Sequence, residues 1–547
     1  MANSPEASQG DVQSQDHQDL PKAVDLSHHL SQLSKARKPS YMKQMMKHYG
    51  RPGLLVLGGG LPHPDCFPFT SLESNILPAD TFSDTAAGLV PSLLPQREVP
   101  APATGKRISV PKHVPAGSVA LGLARTMQYD LSRGIRTLQS LVHELSVLFF
   151  KPAYSDFSTL VHTGNTEGWA RIVHTLLNPG DSLLVEEWAY TSAIHTALPL
   201  GVHMVAVPTD IHGLKPDALR GILDGWNDNS RGFKRPRLLY INPVGQNPCG
   251  YTISGERKKE IYEICVEFDI IITEDDPYYF MQEGPYVPKE ERSCSAIESA
   301  DQFMKSLEPS FLKYDRQGRV IRMDSFSKTL APGLRLGWYT CGPGLAERLE
   351  RQAELSTQAP GGLAQTLVTE LLVNTWGIPG YIRWLQGLRA QYTARRDTFV
   401  DAITEEFNWS VSEGKGEYEG ANVYHGSLKE HGPNGRALIS FVPPTSGMFC
   451  WIRVHFNGLP PPVTTPGSDE GTGTHEGQFW ARMMEEGLLI LPGWMFRGES
   501  ERPAVDPNAI GHYRVSYSDG TGHNMQKACK LLSKALASYF RETTDKS

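Results

Sequence analysis

Lys328 stands in the run Ser325-Phe326-Ser327-Lys328-Thr329-Leu330-Ala331-Pro332-Gly333-Leu334-Arg335, with a hydroxyl three residues before it and a guanidinium seven after. A deprotonated amine attacks aldehydes, and a hydroxyl with a guanidinium holds phosphate, so the run suits a lysine that meets a phosphorylated carbonyl compound. Other candidates recur in a similar setting, where a short apolar run gives way to polar residues. Asn165 and Thr166 follow Thr159-Leu160-Val161 and a glycine, at the start of a helical stretch whose N–H groups and dipole favour an anion. Tyr190 follows the run 182–185, and Asn247 follows 238–241. Glu274, Asp275 and Asp276, with Tyr278 and Tyr279, end a β-branched run over 268–273, and acids so placed need a cation or water. Arg514 lies in a strand-like segment, and its planar fork matches a carboxylate.

The elements that must position these residues are legible as alternation. Apolar runs at 159–161, 182–185, 203–207, 238–241, 268–273 and 320–323 are separated by helix-sized stretches, the pattern of a mostly parallel α/β sheet. Ligands of such sheets bind beyond the C-terminal strand ends, where the candidates fall. Earlier in the chain, an apolar strand expected at 54–57 runs into Gly58-Gly59-Gly60, which permits close backbone approach. Ile135, Leu138, Leu141, Val142 and Leu145 predict an amphipathic helix. Residues 345–400 read as largely helical, leading into a smaller domain with strands at 443–451 and 489–491 and a closing helix over 525–540. Residues 1–39 are expected to be a disordered tail, 78–117 and 285–317 to be surface insertions, and 411–436 and 457–475 to be loops.

Totals exclude several function classes. The 547 residues carry 53 basic and 60 acidic side chains, well mixed, for a net charge of -7, so no field selects nucleic acid or an anionic membrane. The seven cysteines are scattered without Cys-x-x-Cys spacing, which argues against a disulfide framework and against a metal site. A reducing, cytoplasmic setting is the expectation, with no apolar run long enough to span a membrane. Ser325-x-x-Lys328 also matches the serine-nucleophile motif of β-lactamases and penicillin-binding proteins. Its companions are missing: there is no Lys-Thr-Gly, and Ser518-Asp519-Gly520 comes nearest to Ser-Asp-Asn.

In their order along the chain, Asn165, Tyr190, Asn247, Asp276, Tyr279, Ser325, Lys328, Arg335 and Arg514 resemble the motifs of fold type I pyridoxal-phosphate aminotransferases. Gly59-Gly60-Leu61-Pro62 followed by Phe67-Pro68-Phe69 is similar to the branch of fungal aromatic amino acid, 2-aminoadipate and kynurenine enzymes. The resemblance covers residues 40–545 outside the insertions. It implies an N-terminal arm and part of the small domain over 40–126, a large cofactor-binding domain over 127–350, and a small α+β domain over 351–547, to which N-terminal segments also contribute. It implies that Lys328 binds pyridoxal 5'-phosphate and moves the proton, with Asp276 on the pyridine nitrogen; spacing alone leaves Asp275 open for that place. Tyr279 and Asn247 would meet the 3-oxygen and Tyr190 would stack on the ring. Ser325, Arg335, Asn165 and Thr166 would surround the phosphate, with Ser327 unassigned. Arg514 would take the substrate carboxylate, with Asn247 and Gly60 beside the substrate. Tyr129 would reach the neighbouring site in a homodimer. Cys249 stands where the family has threonine, after the asparagine that makes the contact. The implied reaction is ping-pong transamination of an aromatic amino acid with a 2-oxo acid such as 2-oxoglutarate. Alternatives are aminoadipate or kynurenine as substrate, a lyase or decarboxylase on the same fold, and a non-catalytic cofactor-binding regulator; the N-terminal segment carries no helix-turn-helix pattern.

Overall fold

The computed structural model describes residues 20–46, 48–49, 51–55, 57–82, 106–115, 120–292, 298–432, 434–462, 471, 473–497, 506–518 and 522–545. Its centre is a sheet of seven strands: β1 (Ser158–His162), β2 (Ser182–Glu186), β3 (His203–Val207), β4 (Leu238–Ile241), β5 (Ile271–Asp275), β6 (Val320–Ser325) and β7 (Gly337–Cys341). They run in the order β1-β7-β6-β5-β4-β2-β3. All neighbours are parallel except β7, which is antiparallel to both β6 and β1. Every residue of β2, β4, β5, β6 and β7 is buried, because helices cover both faces and leave neither to water. One covering helix, α1 (Asn165–Leu176), starts directly after β1. The C-terminal ends of β1, β2, β4, β5 and β6 therefore share one edge, and each is followed by one of the candidate segments.

A second sheet, antiparallel throughout, contains β8 (Asn408–Glu413), β9 (Asn422–Ser427), β10 (Ile439–Phe441), β11 (Phe449–His455), β12 (Leu491–Pro492) and β13 (Ile510–Ser516), in the order β8-β9-β10-β11-β13-β12. The loop expected at 411–436 thus holds most of a strand pair. The long helix α2 (Gly377–Glu406) joins the two halves. Tyr381, Ile382 and Leu385 at its start belong to the core of the large sheet, whereas Phe399, Val400 and Ile403 near its end belong to the core of the small one. The passage between cores therefore falls inside this helix and not after residue 350. A closing helix, α3 (Gly522–Asp545), packs against α2.

N-terminal expectations need correction. Residues 20–36 form ordered elements on the large half: Leu26 joins Ile172 and Val173 in the core, Ser31 donates to the His174 carbonyl at 2.7 Å, and both His28 and His29 bond Asp269. A polar composition hid that a few apolar anchors and a capped turn suffice to dock a short segment; residues 1–19 lie outside the described residues. Strand Ser71–Ile76 pairs with Lys106–Pro111, the latter inside the expected insertion 78–117, and Ile108 and Val110 pack near Leu367 and Leu371. Among the described residues, no segment before Asn408 joins the small sheet. Leu54, Leu55 and Leu57 form no strand and are 49%, 89% and 93% exposed. Within 285–317, Phe303, Phe311 and Leu312 are core residues, so this stretch is no surface excursion; 293–297 lie outside the described residues. No helix among the described residues is long and apolar enough to cross a membrane.

Candidate active site

At the end of β6, Ser325 Oγ lies 2.8 Å from Ser327 Oγ and accepts the Ser327 N–H at 3.0 Å, which folds the lysine loop back on the strand. Arg335 returns to the same place, donating to Ser327 Oγ at 3.3 Å. Its guanidinium lies against Gly164, where a Cβ would collide with it and where φ is +90°, so only glycine serves there. Gly164 leads into α1, whose first N–H groups have no intrahelical acceptor. Two hydroxyls, one guanidinium and a helix N-terminus thus converge in a cradle shaped for an anion. Thr166 is exposed on the first turn of α1, at its margin.

Across the same strand ends, Asn165 Nδ2 donates to Asp275 Oδ1 at 2.7 Å and to the Met323 carbonyl at 3.2 Å. Tyr240 donates to the other Asp275 oxygen at 2.5 Å, and Asn242 donates to the Asp275 carbonyl at 2.6 Å. Burial raises the Asp275 carboxyl above its ordinary range, an effect that the bonds from Tyr240 and Asn165 offset only in part. Lys328 is half-buried, with Nζ 5.9 Å from the centroid of the Tyr278 ring. Burial first, then the guanidiniums of Arg514 and Arg335, lower its pKa, which favours the neutral amine.

The small domain supplies the opposite wall. Asn247 follows β4 and precedes Pro248 through a cis peptide bond; its N–H is held by Asn242 Oδ1 at 2.7 Å. Arg514, on β13, donates to Asn247 Oδ1 at 2.7 Å. Its guanidinium lies over Phe449 at 4.4 Å and Phe496 at 4.9 Å, and its Nε is buried without a partner. Tyr278 and Tyr190 are close enough to interact electrostatically with it, and Tyr278 bonds the Asn247 side chain. Gly245 and Gly447 let the two halves touch here, since a Cβ on Gly245 would lie 2.6 Å from the Gly447 Cα.

The structure therefore brings Lys328, Ser325, Arg335, Asn165, Tyr190, Asn247 and Arg514 to one place. It turns Asp276 and Tyr279 away. Asp276 is fully buried on the other face of β5, 2.9 Å from Arg322, and burial pushes its carboxyl up to about 6. Tyr279 packs edge-on to Phe150 and Phe280 in the core. Asp275 and Tyr278, with the same Asp-x-x-Tyr spacing one residue earlier, line the site instead. The reason is strand parity, which the sequence concealed because the preceding run is apolar on both faces. Gly60 is exposed and Tyr129 is 54% exposed, both outside the convergence within one chain. Sequence reasoning missed Tyr240, Asn242 and Phe496; only Asn242 carried a signal, as a second asparagine at the end of β4.

Residues 126–418 match the sequence profile described as aminotransferase class I and II. An aromatic amino acid aminotransferase of Schizosaccharomyces pombe is 32% identical over 94% of this chain and 98% of its own length. An L-tyrosine:2-oxoglutarate aminotransferase of Tapinella panuoides is likewise 32% identical, over 95% and 97%. Among solved structures, the aminotransferase Aro8 of Candida albicans superposes with a TM-score of 0.79 at 33% identity, covering 95% of this chain and all of that one (100%). With its seven-stranded sheet, separate antiparallel sheet and lysine loop at the strand edge, the chain belongs to the class I and II aminotransferases, enzymes of fold type I that carry out transamination.

Proposed function

We propose that the chain uses pyridoxal 5'-phosphate to transfer the amino group of an aromatic L-amino acid to a 2-oxo acid such as 2-oxoglutarate. The observation that carries this reading is the convergence of Lys328, the anion cradle and the Asp275 carboxylate at one strand edge, facing Arg514 on the other half. The residues fit the cofactor: the cradle is closed by a glycine that Arg335 would otherwise strike, and Asn165 Oδ1 and Arg514 Nε are buried without partners, free to bond a ligand. Bound there, the cofactor supplies an aldehyde for the substrate amine and an electron sink for the Cα carbanion.

Each side chain then has a role. Ser325, Ser327, Arg335 and the α1 N-terminus hold the phosphate, with Thr166 at its edge. Asp275, kept in place by Asn165 and Tyr240, would hold the pyridine nitrogen. Tyr278 and Asn247 would hold the 3-oxygen and Tyr190 would pack on the ring. Arg514 takes the substrate α-carboxylate as a fork. Lys328, with its lowered pKa, would take the proton from Cα and deliver it to the carbon on the other side of the transferred nitrogen. An aromatic donor is favoured by the relatives: an aromatic amino acid aminotransferase and an L-tyrosine:2-oxoglutarate aminotransferase are each 32% identical to this chain.

A homodimer belongs to this reading. Leu55, Leu57 and Tyr41 are 89%, 93% and 78% exposed, and the segments that carry them are tied to the neighbourhood of Tyr129 by Gln128 Nε2 on the Pro62 carbonyl and Lys43 Nζ on the Asp130 carbonyl; a second copy would cover these side chains and bring Tyr129 to the neighbouring site. Six cysteines among the described residues are free, which suits a reducing compartment such as the cytoplasm.

The test is an amino-donor panel with 2-oxoglutarate as acceptor, read by glutamate formation. Turnover of Phe, Tyr or Trp with ping-pong kinetics is expected. Absence of activity with all three would reject the aromatic assignment and leave aminoadipate or kynurenine as the donor, and repeated turnover without any acceptor, beyond the single equivalent of a transaminase half-reaction, would indicate a lyase.

A further inference from the structure

Glu274, Asp275 and Asp276 are consecutive, and the extended chain points the first and third to one face and the second to the other. Arg322 lies opposite Glu274 in the β5–β6 register. Its guanidinium is 3.0 Å from Glu274 and 2.9 Å from Asp276, and it grips both oxygens of Asp324 at 2.9 and 3.0 Å. The side chains of Arg322, Glu274 and Asp276 are 0% exposed and that of Asp324 3%. Phe150 at 3.7 Å and Tyr279 at 4.6 Å cover the cation. One guanidinium thus holds the residues on both sides of Asp275 and the residue just before Ser325. Glu274 is also fixed from behind by Ser310 Oγ at 2.6 Å and the Phe311 N–H at 3.1 Å.

Met323 and Asp275 form the last pair of the β5–β6 ladder, closed by the Asp276 N–H on the Met323 carbonyl at 3.2 Å; β5 then leaves as a loop, while β6 runs on to Ser325 paired with β7 alone. Backbone pairing between β5 and β6 therefore stops where the alignment of the two segments begins to matter. A buried ion cluster is a weak source of stability, since its desolvation cost offsets most of its attraction. Displacement of a catalytic group by about 1 Å, in contrast, costs about 10²-fold in rate.

We propose that Arg322 is a positioning residue: it clamps the ends of β5 and β6 from the far face of the sheet and so sets the placement of Asp275 relative to Lys328. The proposal rests on the reading of those two residues given above. Neither Arg322 nor its three carboxylates touch the site directly; they act through the strand ends.

Arg322→Met alone strands buried carboxylates and would damage folding, so the main variant neutralises the cluster as a set: Arg322→Met with Asp276→Asn and Asp324→Asn, leaving Glu274 on Ser310 and Phe311. Arg322→Lys, which keeps the charge but loses the three-way grip, is the second variant. Each is loaded with pyridoxal 5'-phosphate. Far-UV circular dichroism establishes folding, steady-state kinetics separate kcat from KM, and absorbance of the bound cofactor is titrated against pH. The expected result is a folded set variant with kcat lower by about 10- to 100-fold at nearly unchanged KM, and a midpoint of the absorbance titration displaced by about one unit, equivalent to a tenfold change in the cofactor's proton affinity. Arg322→Lys should change both in the same direction by less. Folded variants with wild-type kcat and an unshifted titration would overturn the proposal. If the wild-type protein itself shows no visible cofactor band that Lys328→Ala abolishes, the underlying reading fails instead, a distinct outcome.

Discussion

The two faces of β5 and β6 at their C-terminal ends carry similar side chains and do opposite things. On one face, Asp275 bonds Asn165 and Tyr240, and the Asn165 Oδ1 beside it has no partner of its own. On the other, Glu274, Asp276 and Asp324 close on Arg322 with no exposure to speak of. A carboxylate with neutral donors keeps unspent charge that a cationic ligand can meet; a carboxylate already gripped by a guanidinium has none to offer. The difference teaches that residue type and local spacing do not assign the chemistry. Parity along the strand does.

The comparison can be broken at its strongest point first. Lys328→Ala is expected to lower kcat by at least about 10²- to 10⁴-fold, the range of a lost general base; steady-state transamination at the normal rate would remove the site face from the mechanism. Next, Asp275→Asn should reduce kcat/KM by about 10²- to 10³-fold, whereas Asp276→Asn should cost about tenfold, the low end for a supporting group. Paired kinetics on the two variants check this, and equal losses, or the reverse order, would contradict the assignment of faces. Arg514→Lys should act mainly through KM for the amino acid, raising it by about tenfold, since a point charge replaces a planar fork worth about 1–2 kcal/mol more at a carboxylate. An unchanged KM would take the carboxylate contact away from β13.

The smallest effect is thermodynamic. Burial pushes the Asp324 carboxyl up to about 7 from its ordinary 3.8. The native state thus binds a proton that the unfolded state has released, and this contribution to stability is full below about pH 4 and is lost as the pH rises through about 7. Asp324→Asn lacks that loss. Its stability relative to wild type should therefore increase between pH 4.5 and 7.5, as denaturant unfolding at the two pH values would show; a difference that is flat or falls with pH would mean that Asp324 is ionised throughout.

Much of the site was legible before any coordinates. Lys328, Ser325, Arg335, Asn165, Asn247 and Arg514 stand at strand ends or in a strand, and apolar runs of three to six residues with β-branched side chains announce a buried sheet wherever they fall. The sheet, the long helix and the lysine loop followed from that alternation. What stayed hidden has physical causes. The docking of residues 20–36 depends on a few anchors such as Leu26 within a polar stretch, too few for any periodic signal. Phe303, Phe311 and Leu312 are buried by neighbours far away in sequence, so a stretch that reads as polar overall supplies core.

By itself, then, the sequence determined the family of residues available for chemistry, their order, and the strand edge at which they would meet, because period and turn residues are local properties of the chain. Only the tertiary structure decided which of two adjacent aspartates meets Asn165 and Tyr240, that Tyr278 and not Tyr279 stands beside Lys328, and that Arg514 from the second sheet closes the site against Asn247. Those choices depend on which face of a doubly buried strand meets a guanidinium and which meets an asparagine. No apolar pattern records that, since both faces are equally dry.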